Sequence, residues 1–139
     1  MIAKTFSVGL KGIDGYIVEV EVDRRRGLPA FHIIGLTDKS IQESKERVTS
    51  AIKNSGFDFP KGKVLINLSP ANLAKTGTGF DLAIAVAILK VSDQFPFDTE
   101  NTIYWGELAL DGSLRSTKGT LIAGITAKDM GFNRILFLR

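Results

Sequence analysis

The stretch from Val64 to Leu89 constrains this chain most, because it predicts three elements in close succession. Apolar residues from Val64 to Leu68 predict a buried strand, and a polar loop with two glycines follows. From Asp81 onward the chain is apolar on nearly every side of a predicted helix. Loops between a strand and a buried helix are where α/β proteins place phosphate cradles and nucleophiles, since the N–H groups of the helix start point outward there. This loop is therefore the first place to search for chemistry.

The composition is that of one folded domain. With 139 residues, 44% of them hydrophobic and 24% charged, the chain is long enough to bury a core and unlike a disordered tail. It has no cysteine, which excludes a disulfide framework and a thiolate metal site. The longest apolar run, Leu82 to Leu89, is far shorter than the ~20 residues of a membrane span, and no secretory signal precedes the first strand. We therefore expect no membrane partner and a cytoplasmic location.

The net charge of +3 is spread along the chain. Residues 1–60 hold nine Lys/Arg and eight Asp/Glu, and residues 61–139 hold nine and seven. A basic stripe of the kind that binds nucleic acid is therefore not indicated by charge alone.

Three strands are predicted before the first helix. Polar and apolar residues alternate across Phe6 to Leu10 and across Val18 to Val22, which predicts antiparallel strands with one wet face. The third strand, Phe31 to Leu36, is apolar on both sides at Ile33 and Ile34 and is predicted to be more central.

Capping residues predict the bounds of the first helix. Either Thr37 or Asp38 can cap its start, and Ser40 with Glu43 offers a second capping-box register. Gly56 predicts its end, because glycine adopts the left-handed conformation of a helix C-cap.

Further elements follow the helix from Asp81. We predict a strand from Thr102 to Leu110, a hairpin turn at Asp111-Gly112 with a returning strand at Ser113 to Arg115, and a final strand from Arg134 to Leu138. A third helix, Thr117 to Met130, is predicted to carry these side chains inward: Leu121, Ile122, Ile125 and Met130. The order β-β-β-α-β-α-β-β-α-β predicts an α+β fold with about three helices on a mixed sheet, in one domain spanning residues 1–139. Because the sequence stops directly after a strand, we expect it to be a fragment of a longer protein.

The polar loop has a chemical and a structural interpretation. Its candidate contact residues are Lys75, Thr76, Gly77, Thr78, Gly79 and Asp81. Two glycines and two hydroxyls before a helix start could bind phosphate. However, the Walker pattern is missing from the chain, and Leu82 stands where the dinucleotide pattern needs its third glycine. The favoured interpretation is structural: the glycines allow a tight turn and Asp81 caps the helix.

Catalytic and metal-binding alternatives rest on weak patterns. Ser69 and Lys75 could form a Ser/Lys dyad by proximity, which only geometry can confirm. The single histidine, His32, lies in an apolar strand without a neighbouring acid and is predicted to be structural or partly exposed. No acidic or histidine cluster has the spacing of metal ligands.

A run of three arginines, Arg24-Arg25-Arg26, is the candidate nucleic-acid contact. Such a turn could bind a phosphate backbone, but a solvated tip is the commoner meaning of three charges without an accompanying aromatic residue.

Six stretches occur in one order along the chain: G-L-P-A-F-H-I-I-G-L from Gly27, E-S-K-E-R-V from Glu43, N-S-G-F-D-F-P from Asn54, I-N-L-S-P-A-N-L-A-K from Ile66, G-F-D-L-A-I-A from Gly79 and G-E-L-A-L-D-G-S-L-R from Gly106. Together they resemble a known family, the amino-terminal domain of Mg-chelatase-like AAA+ ATPases of the bacterial ComM/YifB type. The resemblance implies a ribosomal-protein-S5-domain-2-like fold shared with the proteolytic domain of Lon. In that comparison the peptidase serine falls at about Gly79 and the lysine at about Leu121, so both catalytic side chains are missing.

The resemblance also implies the role of the whole protein. Family members are thought to be hexameric motors acting on DNA, some in branch migration during natural transformation, with ATP and Mg²⁺ bound in a segment beyond Arg139. This piece is then expected to have no cofactor and no small-molecule substrate, and to serve assembly, docking or DNA guidance. A residual Lon-type peptidase using Ser69 and Lys75, and a separate nucleic-acid-binding module, stay open as alternatives.

Overall fold

A computed structural model describes residues 1–35, 38–70, 79–116 and 118–136. The strands and helices follow one another as β1 (Ile2–Lys11), β2 (Asp14–Arg25), β3 (Ala30–Ile34), α1 (Asp38–Asn54), β4 (Lys63–Ser69), α2 (Asp81–Val91), β5 (Thr102–Tyr104), β6 (Glu107–Leu108), β7 (Leu114–Arg115), α3 (Thr120–Asp129) and β8 (Arg134–Leu136). Within these ranges, no helix combines the length and the apolar character that crossing a bilayer requires.

The main sheet is mixed and has six strands in the order β3-β4-β2-β1-β5-β8. The pairs β1/β2 and β2/β4 are antiparallel, whereas β3/β4, β1/β5 and β5/β8 are parallel. The strands β6 and β7 form a separate two-stranded sheet. Three helices on a mixed sheet confirm the predicted α+β class.

One surface of the sheet, the α1/α2 face, carries the larger core. Alternate residues of β2 and β4 point to it and are buried with α1 and α2: Val18, Val20, Val22, Val64, Ile66 and Leu68. The hydroxyl of Thr5 in β1 donates to the carbonyl of Ala83 in α2 at 2.8 Å, which satisfies a polar side chain that is completely buried in this layer. The helix α2 is therefore buried on almost all sides, as its sequence predicts.

The opposite surface, the α3 face, carries a smaller core beneath α3. Val8 and Ile103 of the sheet pack there against Trp105 and against Ala123 and Ala127 of α3. By strand alternation, Glu19, Glu21 and Asp23 of β2 point to this same face, because the valines between them point to the other.

The prediction that the third strand is central was wrong. The strand β3 lies at the edge of the sheet, paired only with β4, and Ile34 is 54% exposed on the α3 face. An apolar pair predicts burial on both faces, but only Ile33 faces a layer of helices.

The strand predicted from Thr102 to Leu110 is divided in two. Trp105 and Gly106 separate β5 from β6, and Gly106 has a φ of 150°, a conformation that favours glycine. The chain thereby leaves the main sheet and starts the small one. The hairpin predicted at Asp111-Gly112 is confirmed, since β6 and β7 pair antiparallel around it.

The predicted inward face of the third helix was also wrong at three of its four residues, since only Ile122 is half-buried. In α3 the buried residues are small or polar, namely Ala123, Thr126 and Ala127. Leu121 is 77% exposed and Ile125 is 52% exposed, and Met130 beyond the helix end is 62% exposed. The close approach of α3 to the sheet explains this choice, because a Cβ at Gly15 in β2 would lie 2.1 Å from the hydroxyl oxygen of Thr126.

Candidate functional site

The carboxylate of Asp81, the first residue of α2, is completely buried. It accepts hydrogen bonds from the hydroxyl of Ser44 at 2.5 Å and from Nε of Arg47 at 2.6 Å, both residues of α1. The backbone N–H of Leu108 in β6 donates to the same carboxylate at 3.1 Å. One side chain thus joins the two helices of the larger core to the small sheet.

The expectation that Asp81 caps α2 was wrong. The cap position is Phe80, without a side-chain hydrogen bond, and the carboxylate of Asp81 binds groups of α1 and β6 instead. Its place in the first turn still suits the positive end of the helix dipole. The helix α1 begins at Asp38, while Thr37 and the side chains of Asp38 and Ser40 lie outside what the structure describes, so the capping prediction for α1 stays a prediction.

The electrostatics of this pair follow from its burial. Burial raises the pKa of Asp81 above its ordinary value, although the hydrogen bonds from Arg47 and Ser44 act in the opposite direction. Burial also acts to lower the pKa of Arg47, but the hydrogen bond and charge of Asp81 outweigh it and raise that pKa. The short bond between Nε and the carboxylate is typical of an ion pair, so Asp81 is a structural anion with its acceptor sites engaged.

Gly79 ends the polar loop and lies against the buried indole of Trp105. A Cβ at Gly79 would lie 2.8 Å from Cη2 and from Cζ3 of the indole, which is closer than van der Waals contact. The backbone is also fixed there: Gly106 N–H donates to the carbonyl of Gly79 at 2.9 Å, and Leu82 N–H donates to the carbonyl of Gly106 at 3.1 Å. There is no room for a side chain at position 79.

The other edge of the same indole faces the start of α3. Nε1 of Trp105 donates to the hydroxyl of Thr120 at 3.3 Å, and Leu121 follows it in the first turn with its side chain exposed. The indole therefore spans the space between Gly79 and Thr120. Gly79 and Leu121, the neighbour of Thr120, are the positions at which the resemblance to Lon leads us to expect the serine and the lysine.

The other candidate residues are spread over the molecule. Ser69 is half-buried at the end of β4, opposite Glu19 of β2, and its hydroxyl accepts a hydrogen bond from the amide of Asn67 at 3.4 Å. Lys75, Thr76, Gly77 and Thr78 lie outside the described residues. His32 is exposed on β3, and the described part of the chain contains no group of acids and histidines arranged to hold a metal ion.

The three arginines lie where β2 ends. Nε of Arg24 donates to the carbonyl of Lys61 at 3.0 Å, and Nε of Arg25 donates to Asp23 at 2.8 Å. Strand pairing places Lys63 directly opposite Arg25. The fold therefore brings Lys61 and Lys63 beside the three arginines, although more than thirty residues separate them from the arginines in the sequence.

Sequence reasoning missed the residues that organise this centre: Ser44, Arg47, Trp105 and Thr120. One signal was present, because a carboxylate in an otherwise apolar helix needs a partner when it is buried. Ser44 and Arg47 lie three residues apart, so they share one face of α1. Nothing in the order of residues says that α1 would lie beside the start of α2, or that Trp105 would turn toward Gly79.

Comparison with known proteins places these residues in context. Residues 20–138 match the protein family described as subunit ChlI of Mg-chelatase. An uncharacterized protein of Mycobacterium tuberculosis (strain H37Rv) is 41% identical over 136 residues, covering 97% of this chain and 27% of that protein. The uncharacterized protein YifB of Escherichia coli K12 is 40% identical over 124 residues, covering 86% and 24%. The competence protein ComM of Haemophilus influenzae is 37% identical over 128 residues, covering 91% and 25%. The chain spans about a quarter of the length of these relatives.

Proposed function

Because the chain belongs to the family of the Mg-chelatase subunit ChlI, together with relatives such as YifB and ComM, we propose that it is a non-catalytic accessory domain of a longer AAA+ ATPase. Its contribution is assembly, docking or the guidance of DNA. The observation that carries this proposal is the position of Trp105 between Gly79 and Thr120.

A Ser/Lys peptidase needs a nucleophile and a base within hydrogen-bond reach of each other and of a bound peptide. The peptidase comparison aligns the serine with Gly79, where the indole leaves no space for a side chain. It aligns the lysine with Leu121, an exposed apolar residue. The contact of the indole with Gly79 and its hydrogen bond to Thr120 support a scaffold role for this part of the fold.

Ser69 is the nucleophile of the alternative peptidase hypothesis, with Lys75 as its base. In the described residues, the hydroxyl of Ser69 accepts a hydrogen bond from the amide of Asn67, and a donor of this kind does not activate it as a nucleophile. Glu19, opposite Ser69 in the neighbouring strand, is bonded to Lys4 at 2.8 Å. The test is incubation of the purified chain with casein and with a fluorophosphonate probe that labels reactive serines. We expect neither turnover nor labelling. Turnover that disappears in Ser69→Ala and persists in the matched Ser92→Ala would overturn the accessory-domain proposal.

The activity of the whole protein is a second part of the proposal. We propose that the longer protein is an ATP-driven hexameric DNA motor, with ATP and Mg²⁺ held outside these residues. Its support is the family and the description of one relative as a competence protein. The test compares the full-length protein with a version lacking residues 1–139. We expect ATP hydrolysis to persist and DNA branch migration to be lost. Loss of ATP hydrolysis in the shortened protein would contradict the proposal that residues 1–139 are not needed for ATP hydrolysis.

DNA guidance is favoured by one observation, the pairing that brings Lys63 beside Arg25. Together with Arg24, Arg26 and Lys61, they form a cationic end of the sheet that could contact phosphates. Replacing the three arginines by alanine should weaken retention on duplex DNA at low salt. A variant with Lys11, Lys118 and Lys128 replaced by alanine removes the same charge elsewhere and is the control. Equally weakened DNA retention in both variants would show that net charge, and not the cationic end of the sheet, determines binding.

A further inference from the structure

The α3 face is only half covered by α3. The uncovered half is formed by the end of β2 with β4 and β3, and its apolar side chains include Ile2 (66% exposed), Ile34 (54%) and Leu65 (37%). They line a groove of about 360 Å³ together with Glu21, Asp23 and Asn67. In the described residues, no helix packs on this half. A layered fold normally covers such a surface with a further element.

A second groove lies beside α3 on the same face. It has a volume of about 400 Å³, and its apolar lining includes Ile17 of β2 and Ile122 and Ile125 of α3. The strand β2 lines both grooves, at Gly15 and Ile17 in one and at Glu21 and Asp23 in the other. From Gly15 to Asp23 the strand runs about 26 Å, which is the length of a helix of about 18 residues. Both grooves lie along β2 on this face, with Glu19 between them, and we refer to the two together as the trough.

The charges around this trough are mostly negative. Carboxylates line it at Asp14, Asp129, Glu21 and Asp23, and Glu19 stands between the two grooves. The cations on this face include Lys4, bonded to Glu19 at 2.8 Å, and Arg25 and the amino group of Met1, both paired with Asp23. Lys63 lies opposite Arg25 at one end of the trough. Among the described residues, the linings of the two grooves themselves carry four carboxylates and no lysine or arginine. An apolar floor with acidic borders is complementary to a cationic amphipathic segment.

We propose that the trough binds an amphipathic helix of a partner, with its apolar side on β2 and with lysine or arginine along its flanks, packed alongside α3. The helix would complete the second layer on the α3 face. This inference rests on the proposed accessory role, since docking is the part of that role that needs such a surface. It names the chemistry of the docked segment: about five turns of helix, apolar on one side and basic at its borders.

The test uses a fluorescent peptide of about 18 residues, composed of leucine and lysine in a helical pattern, and a second peptide with glutamate in place of lysine. Fluorescence anisotropy measures binding, and amide NMR shifts locate it. We expect the lysine peptide to bind at least about tenfold more tightly than the glutamate peptide, with shifts in β2, β4 and α3. Equal binding of both peptides, no binding, or shifts confined to other surfaces would overturn the inference.

Matched variants show whether peptide binding depends on the residues of the trough or only on the charge and hydrophobicity of the whole surface. Glu21→Lys and Leu65→Ser should each weaken the lysine peptide by at least about fivefold. Glu46→Lys changes an exposed acid of α1, and Leu28→Ser changes a leucine that is 84% exposed in the turn after β2, so both should leave binding unchanged. Circular dichroism confirms that each variant is folded. Equal effects in test and control variants would reject the trough.

Other occupants give different outcomes. A second copy of the chain would appear as concentration-dependent dimerisation in sedimentation, abolished by Leu65→Ser, and would replace the inference. Duplex DNA that shifts amides of this face would do the same. The result of the peptide-binding assay does not affect that of the casein assay, and the reverse also holds. A failed docking inference can therefore be distinguished from a failed proposed function.

Discussion

Trp105 packs its indole on the backbone of Gly79, so closely that a Cβ at position 79 would lie 2.8 Å from two ring carbons. This contact closes the end of the polar loop and fixes the chain as it enters α2. Because Trp105 is 4% exposed and is the single tryptophan of the chain, its fluorescence reports directly on this centre.

Adding a methyl group at Gly79 should destabilise the fold. We expect Gly79→Ala to lower the free energy of unfolding by about 1–3 kcal/mol, because the indole must move to admit the Cβ. Urea unfolding followed by tryptophan fluorescence measures the loss. Gly124→Ala in α3 is the control: no atom lies within 4 Å of its Cβ position, and alanine in a helix should stabilise by about 0.5–1 kcal/mol. A neutral Gly79→Ala would contradict the close contact.

The Asp81–Arg47 pair should show strong coupling. Asp81→Leu leaves a guanidinium without its buried carboxylate and should cost about 3–5 kcal/mol, whereas the double variant with Arg47→Met should recover much of that loss. Denaturant unfolding of the two single variants and the double variant gives the coupling energy. The exposed pair of Asp23 and Arg25 serves as control and should couple by less than about 1 kcal/mol. Additive losses at Asp81 and Arg47 would mean that their contact contributes nothing.

The two tyrosines should make the stability of the fold decrease at alkaline pH. Burial raises the pKa of Tyr16 and of Tyr104, so the folded state keeps their protons at a pH where the unfolded chain has lost them. Their contribution to stability is complete below the ordinary pKa of about 10 and is lost as the pH rises through the folded values. Absorbance at the phenolate band should titrate at higher pH in the native protein than in denaturant, with Tyr16→Phe isolating Tyr104. Coincident curves would refute the burial effect.

The outward face of α3 should tolerate polar residues. Leu121→Gln and Ile125→Gln should change the free energy of unfolding by no more than about 0.5 kcal/mol, because both side chains are already in water. Ala123→Leu, which enlarges a completely buried residue between α3 and the sheet, should cost about 1–3 kcal/mol. Thermal unfolding followed by circular dichroism measures all three. Larger losses of stability in Leu121→Gln and Ile125→Gln than in Ala123→Leu would contradict the observed orientation of α3 and support the one predicted from the sequence.

The parts of this fold that could be predicted are those in which a residue pattern depends only on how its own strand or helix contacts water. Alternation in β1 and β2 predicted two antiparallel strands, and the apolar run of α2 predicted its burial, because each pattern reports how its own element contacts water. Gly56 predicted the end of α1 for a similarly local reason, and its φ of 87° agrees.

The errors concern neighbours that local patterns do not specify. In α3, large apolar residues predicted an inward face, but the helix lies so close to the sheet that alanines fill the interface. In β3, two adjacent isoleucines predicted a central strand, although a helix layer covers only the side of Ile33. The partners of Asp81 come from α1 and β6, so the site could be located by sequence while its interactions could not.

The position of β1 has a consequence for synthesis on the ribosome. One edge of β1 pairs with β2, the next strand to emerge, but its other edge meets β5, and Ser7 donates to the carbonyl of Tyr104, 97 residues later. At about 5–20 residues per second, the nascent chain therefore waits several seconds with that edge of β1 unpaired. This domain completes its folding only when Tyr104 and α3 have left the exit tunnel, so β1 is made before the other strands described here and is among the last to be fully enclosed.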